Sequence, residues 1–154
     1  MNKTLVCYFS VEKNTEKYAD EIKNITKADI FEIEPKIKYT KKDINWLNPL
    51  SRCNKEKIGK KDIELNGEIK DLSKYETVYL GFPIWYYTAP TIINSFLNKY
   101  DLKDKKVILF ATSGGSDIDK AKINLEKKYN LNIISSKLLN GLSKEEIINW
   151  IKSI

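Results

Sequence analysis

The sequence predicts an α/β domain in which a largely parallel sheet carries helices on both faces. Short apolar runs of strand length alternate along the chain with longer segments whose apolar residues recur at helical spacing. Such alternation favours right-handed crossovers, which place helices on both faces of a parallel sheet. The 154 residues contain no repeat, low-complexity tract or linker, so we expect residues 1–154 to form a single domain.

Five apolar runs predict the strands. Three of them are followed by residues that end a strand: Pro35 after the second run, Pro83 after the third, and the Gly114-Gly115 pair after the fourth. The first run leads through a short polar loop into a segment of helical period, which gives a β-loop-α start. The predicted strands are residues 5–10, 28–33, 77–82, 107–112 and 131–138.

Helical periodicity predicts the helices between these strands. Pro90 suits the first turn of one helix, and Ser116 or Asp117 suits the N-cap of the next. Ser143 and Glu146 lie three residues apart in a capping-box pattern that opens the last helix. The predicted helices are residues 15–25, 90–100 and 117–129, with a final helix that begins at Ser143.

Residues 34–76 do not follow the alternation. Tyr39, Ile44, Trp46 and Leu47 suggest a short helix, and the rest of this segment is charged and weakly patterned. A structureless connection of this length is uncommon in a compact domain. We therefore expect the segment either to hold a further helix with irregular flanks or to cover a binding site.

Composition excludes several classes of protein. The chain lacks histidine and has only Cys7 and Cys53, which disfavours zinc enzymes and Ser-His hydrolases; we interpret Cys7 as a buried strand residue and Cys53 as an incidental thiol. The net charge is +6, but the lysines are scattered among acidic residues and Arg52 is the only arginine, which disfavours nucleic-acid recognition. With no apolar run near the roughly 20 residues of a membrane span and no room for a signal peptide before the first strand, we expect a cytoplasmic protein.

In an open parallel sheet, ligands bind outside the carboxyl ends of the strands. The loop that follows the first strand contains hydroxyl and amide side chains next to a helix N-terminus, where a phosphate would meet backbone N–H donors and a favourable dipole. The alternative is that Asn14 or Thr15 merely caps the helix. The loop lacks the glycine patterns of ATP and NAD sites; its residues are Ser10, Val11, Glu12, Lys13, Asn14 and Thr15.

Two further loops reach the same edge of the predicted sheet. The loop after the third strand contains Trp85, Tyr86 and Tyr87, whose rings could stack on a planar ligand or, alternatively, only roof the core. The loop after the fourth strand, residues 111–116, is rich in small residues, so its backbone could approach the edge of a ring.

Together, the three loops resemble those of the flavodoxin family, and the likeness extends from Thr4 to the final helix. The first loop is similar to the family's phosphate loop, with Glu12 and Lys13 where threonine and glycine are usual. The resemblance implies a five-stranded sheet of order 2-1-3-4-5 and a bound FMN. The implied contacts are residues 10–15 for the phosphate, and Pro83, Ile84, Trp85, Tyr86, Thr112, Ser113, Gly114 and Gly115 for the isoalloxazine.

The same resemblance covers the long connection, since Tyr39, Asp43, Trp46, Ser51-Arg52 and Glu56 are similar to a pattern in a short flavodoxin subgroup with a Pro-Ile-Trp flavin loop. It implies that residues 34–76 are a family insert beside the flavin.

The implied function is electron transfer to a redox partner protein. The alternative is an NAD(P)H-dependent FMN quinone reductase that uses a small acceptor such as a quinone. Flavodoxin carriers are usually acidic, so the pI of 9.1 leaves open either an acidic redox partner or this reductase. A third reading is a cofactor-free interaction module of the same fold.

Overall fold

The structure is a computed structural model that describes residues 3–37, 63–85, 87–113 and 115–154. Helices and strands alternate along most of this part of the chain, as the sequence predicts. The strands are β1 (Lys3–Tyr8), β2 (Asp29–Glu32), β3 (Glu34–Pro35), β4 (Leu65–Asn66), β5 (Tyr75–Pro83), β6 (Lys106–Thr112) and β7 (Asn132–Leu138), and the helices are α1 (Asn14–Thr26), α2 (Thr91–Lys99), α3 (Asp119–Tyr129) and α4 (Lys144–Lys152).

The main sheet has five parallel strands in the order β2-β1-β5-β6-β7. Counted within this sheet, the order is 2-1-3-4-5, which confirms the predicted fold class. The strand order reverses between β1 and β5, since the chain moves outward to β2 on one side and to β6 and β7 on the other. The carboxyl ends of β1 and β5 therefore flank the switch point at which such sheets bind ligands.

Successive residues of the central strands alternate between two apolar layers, because side chains of a strand point to opposite faces. Cys7, Leu80 and Leu109 contribute to the layer that packs on α2 and α3. Val6 and Ile108 contribute to the layer that packs on α1 and α4. Cys7 is fully buried in β1, as predicted from the sequence, and burial raises the pKa of its thiol.

Gly81 in β5 is required by the packing of the second layer. It pairs with Phe110 of β6, whose fully buried ring lies directly over it. A Cβ added at Gly81 would overlap that ring. Because Gly81 has no side chain, the Phe110 ring of β6 can lie over the backbone of β5.

Two expected boundaries are wrong. We expected Pro83 to follow the third strand of the main sheet, but it is the last residue of that strand, β5, and pairs with Thr112. A proline at this position removes only one N–H from the ladder. Helix α3 begins at Asp119, two residues after the predicted start at Asp117. Of the two predicted caps, Asp117 makes the capping contact, because its carboxylate accepts a hydrogen bond from the backbone N–H of Asp119 at 3.1 Å.

The predicted capping box of the last helix is confirmed. Ser143 Oγ accepts from the backbone N–H of Glu146, and the Glu146 carboxylate accepts from the backbone N–H of Ser143, each at 3.1 Å. No helix in the described residues is long and apolar enough to cross a membrane.

The described ends of the long connection between β2 and β5 form a small antiparallel ladder of β3 with β4, so Pro35 lies within a short strand rather than ending β2. A single 3₁₀ turn follows at Leu72–Lys74. Two hydrogen bonds tie the segment to α2 and its end: Ile63 N–H donates to Ser95 Oγ at 2.8 Å, and Ile69 N–H donates to the Tyr100 hydroxyl at 2.9 Å. The predicted short helix and the pattern of residues 39–56 lie outside the described residues, as does Cys53.

Candidate functional site

Three loops converge at the carboxyl edge of the sheet because β1, β5 and β6 are neighbours and run in the same direction. The first loop lies between β1 and α1, the second between β5 and α2, and the third between β6 and α3. Backbone hydrogen bonds hold the three in register. Phe9 N–H donates to the Gly81 carbonyl at 3.0 Å, and Ile84 N–H donates to the Thr112 carbonyl at 2.8 Å.

The first loop turns into α1 at Lys13, which is the N-cap and lies in the left-handed region with φ 66°. The resemblance places a glycine at this position, and the observed φ explains why, since only glycine adopts it without strain. Neither Asn14 nor Thr15 caps the helix. The first-turn N–H groups precede the first intrahelical bond, which runs from Lys17 N–H to the Lys13 carbonyl at 3.1 Å, so they are free to bind an anion.

Ser10 supplies a further donor beside this turn. Its hydroxyl oxygen is buried and has no hydrogen-bond partner among the described residues. A buried polar group without a partner costs roughly 1–3 kcal/mol, and nearly all such groups in folded proteins are satisfied. An anion held at the N-terminus of α1 would accept this hydrogen bond, so Ser10 and the first turn together fit a phosphate group.

The second loop contains a tight turn that holds its aromatic side chains in different environments. Trp85 and Thr88 exchange two backbone hydrogen bonds, of 2.9 and 3.0 Å. The Trp85 ring is half-buried and meets Phe9 edge-on, with ring centroids 5.7 Å apart. It therefore contributes to the roof of the core, as the alternative interpretation of these aromatics expected. Tyr86 lies outside the described residues.

Tyr87 is one of the three aromatic residues whose rings could stack on a planar ligand, but it is not among the contacts that the resemblance implies. Its side chain is 62% exposed at the tip of this turn, and its φ of 65° is costly for a tyrosine. The Nζ of Lys120, from the start of α3, lies 5.8 Å from the centre of its ring. Strained backbone at a non-glycine residue is typical of functional sites, and only the dihedral angle, not the sequence, singles Tyr87 out.

The third loop is held by its own hydrogen bonds. Ser113 Oγ accepts from the backbone N–H groups of Gly115 and Ser116, at 3.1 and 2.7 Å. The side chain of Asn140, after β7, accepts from Ser113 N–H at 2.8 Å and donates to the Ser113 carbonyl at 2.9 Å. Sequence reasoning missed Asn140, because its role depends on the proximity of β6 and β7. Gly114 lies outside the described residues.

The carboxylates of Glu16, Glu32 and Glu34 lie beside the first loop, around a cavity of about 210 Å³. The Tyr8 hydroxyl donates to Glu16 Oε1 at 3.2 Å. The pKa of Glu32 is raised above its ordinary value by burial, by the charge of Glu34 and a hydrogen bond with it, and by the charge of Glu16. The described residues contain no group of three or more His, Cys, Asp or Glu side chains arranged to hold a metal ion. The lining residues are Phe9, Ser10, Val11, Lys13, Glu16, Glu32, Ile33, Glu34 and Pro35.

A doubly wound sheet of order 2-1-3-4-5 with an uncapped helix N-terminus after its first strand defines the class of flavodoxin-like α/β proteins. The model of the flavodoxin family matches residues 3–154, and the chain belongs to that family. No curated protein matches the chain.

Solved structures show the same fold. A protein assigned as a flavoprotein from Bacteroides eggerthii is 35% identical, with a TM-score of 0.94 over 100% of this chain and 98% of its own. A second one, from Bacteroides uniformis, is 39% identical, with a TM-score of 0.93 over 98% of each chain. A flavoprotein from Lactobacillus acidophilus, solved in complex with FMN, is 21% identical, with a TM-score of 0.71 over 98% of this chain and 99% of its own.

Proposed function

We propose that this chain binds FMN at the junction of its three loops and acts as an electron-transfer protein. The observation that carries the proposal is the buried, unpartnered hydroxyl of Ser10 beside the uncapped N-terminus of α1. Both features lie at the switch point of the sheet, where flavodoxin-like proteins bind FMN. The FMN complex of the Lactobacillus relative supports the choice of ligand.

Residues 10–15 would hold the phosphate, and residues 83–86 and 112–115 would contact the isoalloxazine. FMN supplies the redox chemistry when it is bound. The protein contributes binding and shape: the hydrogen bonds between the strand ends fix the separation of the loops, and Trp85 on Phe9 keeps the second loop against the core. Tyr87 lies at the solvent side, where an electron donor or acceptor would approach.

Titration of the apoprotein with FMN, followed by flavin fluorescence and absorbance, tests the proposal. We expect one FMN per chain and weaker binding of riboflavin, which lacks the phosphate. Ser10→Ala removes one hydrogen bond to a charged group, so FMN affinity should fall about tenfold or more, while the apoprotein should be no less stable because the hydroxyl has no partner to lose.

Ser136→Ala is the matched control, since Ser136 is a half-buried serine in β7, away from the switch point. It should leave FMN affinity unchanged. A protein that binds no FMN in this titration would refute the proposal and favour the cofactor-free interaction module.

The net charge of +6 favours a second candidate, an NAD(P)H-dependent FMN quinone reductase. Flavodoxin carriers that dock on basic partners are usually acidic, and complementary charge governs such docking. Steady-state oxidation of NADH and NADPH with quinones separates the two candidates. Turnover supports the reductase, whereas reduction of a cytochrome by the reduced protein without NAD(P)H turnover supports the carrier.

A further inference from the structure

Two buried hydroxyl groups join the first and third loops. Thr15 is the second residue of α1 and Thr112 is the last residue of β6, and their Oγ atoms lie 2.8 Å apart. The two side chains are only 1% and 4% exposed. This contact links the predicted phosphate loop directly to a loop that was predicted to meet the isoalloxazine.

The hydrogen bond between them leaves one proton unused. Each threonine hydroxyl has one proton to donate and can accept hydrogen bonds through two lone pairs, so a bond between two hydroxyls uses one of two protons. Neither Oγ has another hydrogen-bond partner among the described residues. A buried donor without an acceptor is costly, so the remaining proton indicates that a ligand atom accepts it.

We propose that Thr112 is a positioning residue that donates to Thr15, so that Thr15 donates its own proton to the phosphate of FMN. The inference rests on the proposed FMN site and assigns the Thr112 side chain to the phosphate loop, whereas the ring contacts proposed for residues 112–115 use their backbone groups. Two groups already favour an anion on the Thr15 side: the uncapped N-terminus of α1 and the unpartnered hydroxyl of Ser10.

The opposite direction of the bond conflicts with this environment. If Thr15 donated to Thr112, the oxygen of Thr15 would present only lone pairs to the phosphate, and the two would repel. The Thr112 carbonyl accepts from Ile84 N–H at 2.8 Å, which fixes the backbone of Thr112 against β5. Its hydroxyl therefore reaches Thr15 from a rigid strand end, and a donor in that position also strengthens the next hydrogen bond in the chain.

Affinities of FMN and riboflavin for three variants test the inference. Thr15→Val should weaken FMN about tenfold or more, because it removes a hydrogen bond to a charged group. Thr112→Val should weaken FMN to a smaller extent, with riboflavin affinity unchanged. The double variant should match Thr15→Val alone, because Thr112 acts only through Thr15.

Two further variants keep the test independent of folding. Thr112→Ser retains the hydroxyl and should restore FMN affinity to near the wild-type value. Thr77→Val, at the opposite end of β5, is the matched control for a threonine-to-valine change in a strand and should leave both affinities unchanged. Melting temperatures of the apoproteins report any loss of folding.

Equal weakening of FMN and riboflavin by Thr112→Val would overturn the inference, because it would mean that Thr112 contacts the ring. Unchanged FMN affinity in Thr112→Val would overturn it as well. A wild-type protein that does not bind FMN would instead refute the proposed function itself, so the two failures are distinguishable.

Discussion

Replacement of Lys13 by glycine should stabilise the apoprotein. Lys13 has a φ of 66° at the N-cap of α1, and the left-handed conformation costs a non-glycine residue about 1–2 kcal/mol. Glycine offsets part of this gain by about 0.5–1 kcal/mol, because its unfolded state has more conformational freedom. The net stabilisation is about 0–1.5 kcal/mol, which corresponds to a rise in Tm of up to about 6 °C for a chain of this size.

The other end of the same helix offers a matched control. Lys27 is the C-cap of α1 and has a φ of 60°, so Lys27→Gly removes the same strain at a distance from the loops. Both variants should melt at a higher temperature than the wild type. Only Lys13→Gly should weaken FMN binding, because it removes a positive charge beside the proposed phosphate site. The expected loss is about 2–5-fold, since an exposed ion pair contributes little.

Thermal unfolding of the two apoproteins and FMN titrations of both variants provide the measurements. A Tm that falls in Lys13→Gly while it rises in Lys27→Gly would refute the reasoning, because the conformation of the first loop would then depend on the lysine side chain and not merely tolerate it. Equal FMN affinity in all three proteins would show that the Lys13 charge does not act on the phosphate.

Two further outcomes follow from the packing and the charges. Gly81→Ala should destabilise the protein by about 1–3 kcal/mol in denaturant unfolding, because its Cβ would overlap the ring of Phe110. Gly115 has open space around it, so Gly115→Ala should change stability little. Equal effects of the two substitutions would contradict the packing argument. The pKa of Glu32 is raised by burial and by Glu34, so the folded protein holds this proton more tightly than the unfolded chain, and stability should fall as pH rises above the ordinary pKa of a glutamate. Glu32→Gln should make the free energy of unfolding depend less on pH, as measured by unfolding experiments at a series of pH values. An unchanged pH dependence would mean that other groups cause it.

Local patterns in the sequence were sufficient to predict the strands and helices of the main sheet, while the strand order was implied by the resemblance to flavodoxins. Runs of apolar residues, helical periodicity and the Ser143 capping box act within a few residues of one another, so each could be read without knowledge of the fold. Pro83 misled the boundary prediction because pairing with Thr112 extends β5 through the proline, and α3 begins two residues after the predicted start at Asp117. The contacts of all three loops with the flavin, including those of Tyr86 and Gly114, stay predictions.

The three loops at the carboxyl edge and their resemblance to a flavin site were also predictable, since parallel strands bring their carboxyl ends to one edge. The sequence could not show which polar groups in those loops already have hydrogen-bond partners within the protein. Thr15 and Thr112 are separated by 97 positions, and Ser113 is held by Asn140 from a different loop.

By itself, then, the sequence determined the order of the elements, the placement of helices on both faces of the sheet and the edge at which a ligand is expected, because these follow from periodicity and chain direction. Only the tertiary structure decided that the Ser10 hydroxyl lacks a partner, that Tyr87 holds a positive φ, and that Thr112 meets Thr15. These features depend on burial and on distances between separate loops, which arise only when the strands have paired and the helices have packed on them.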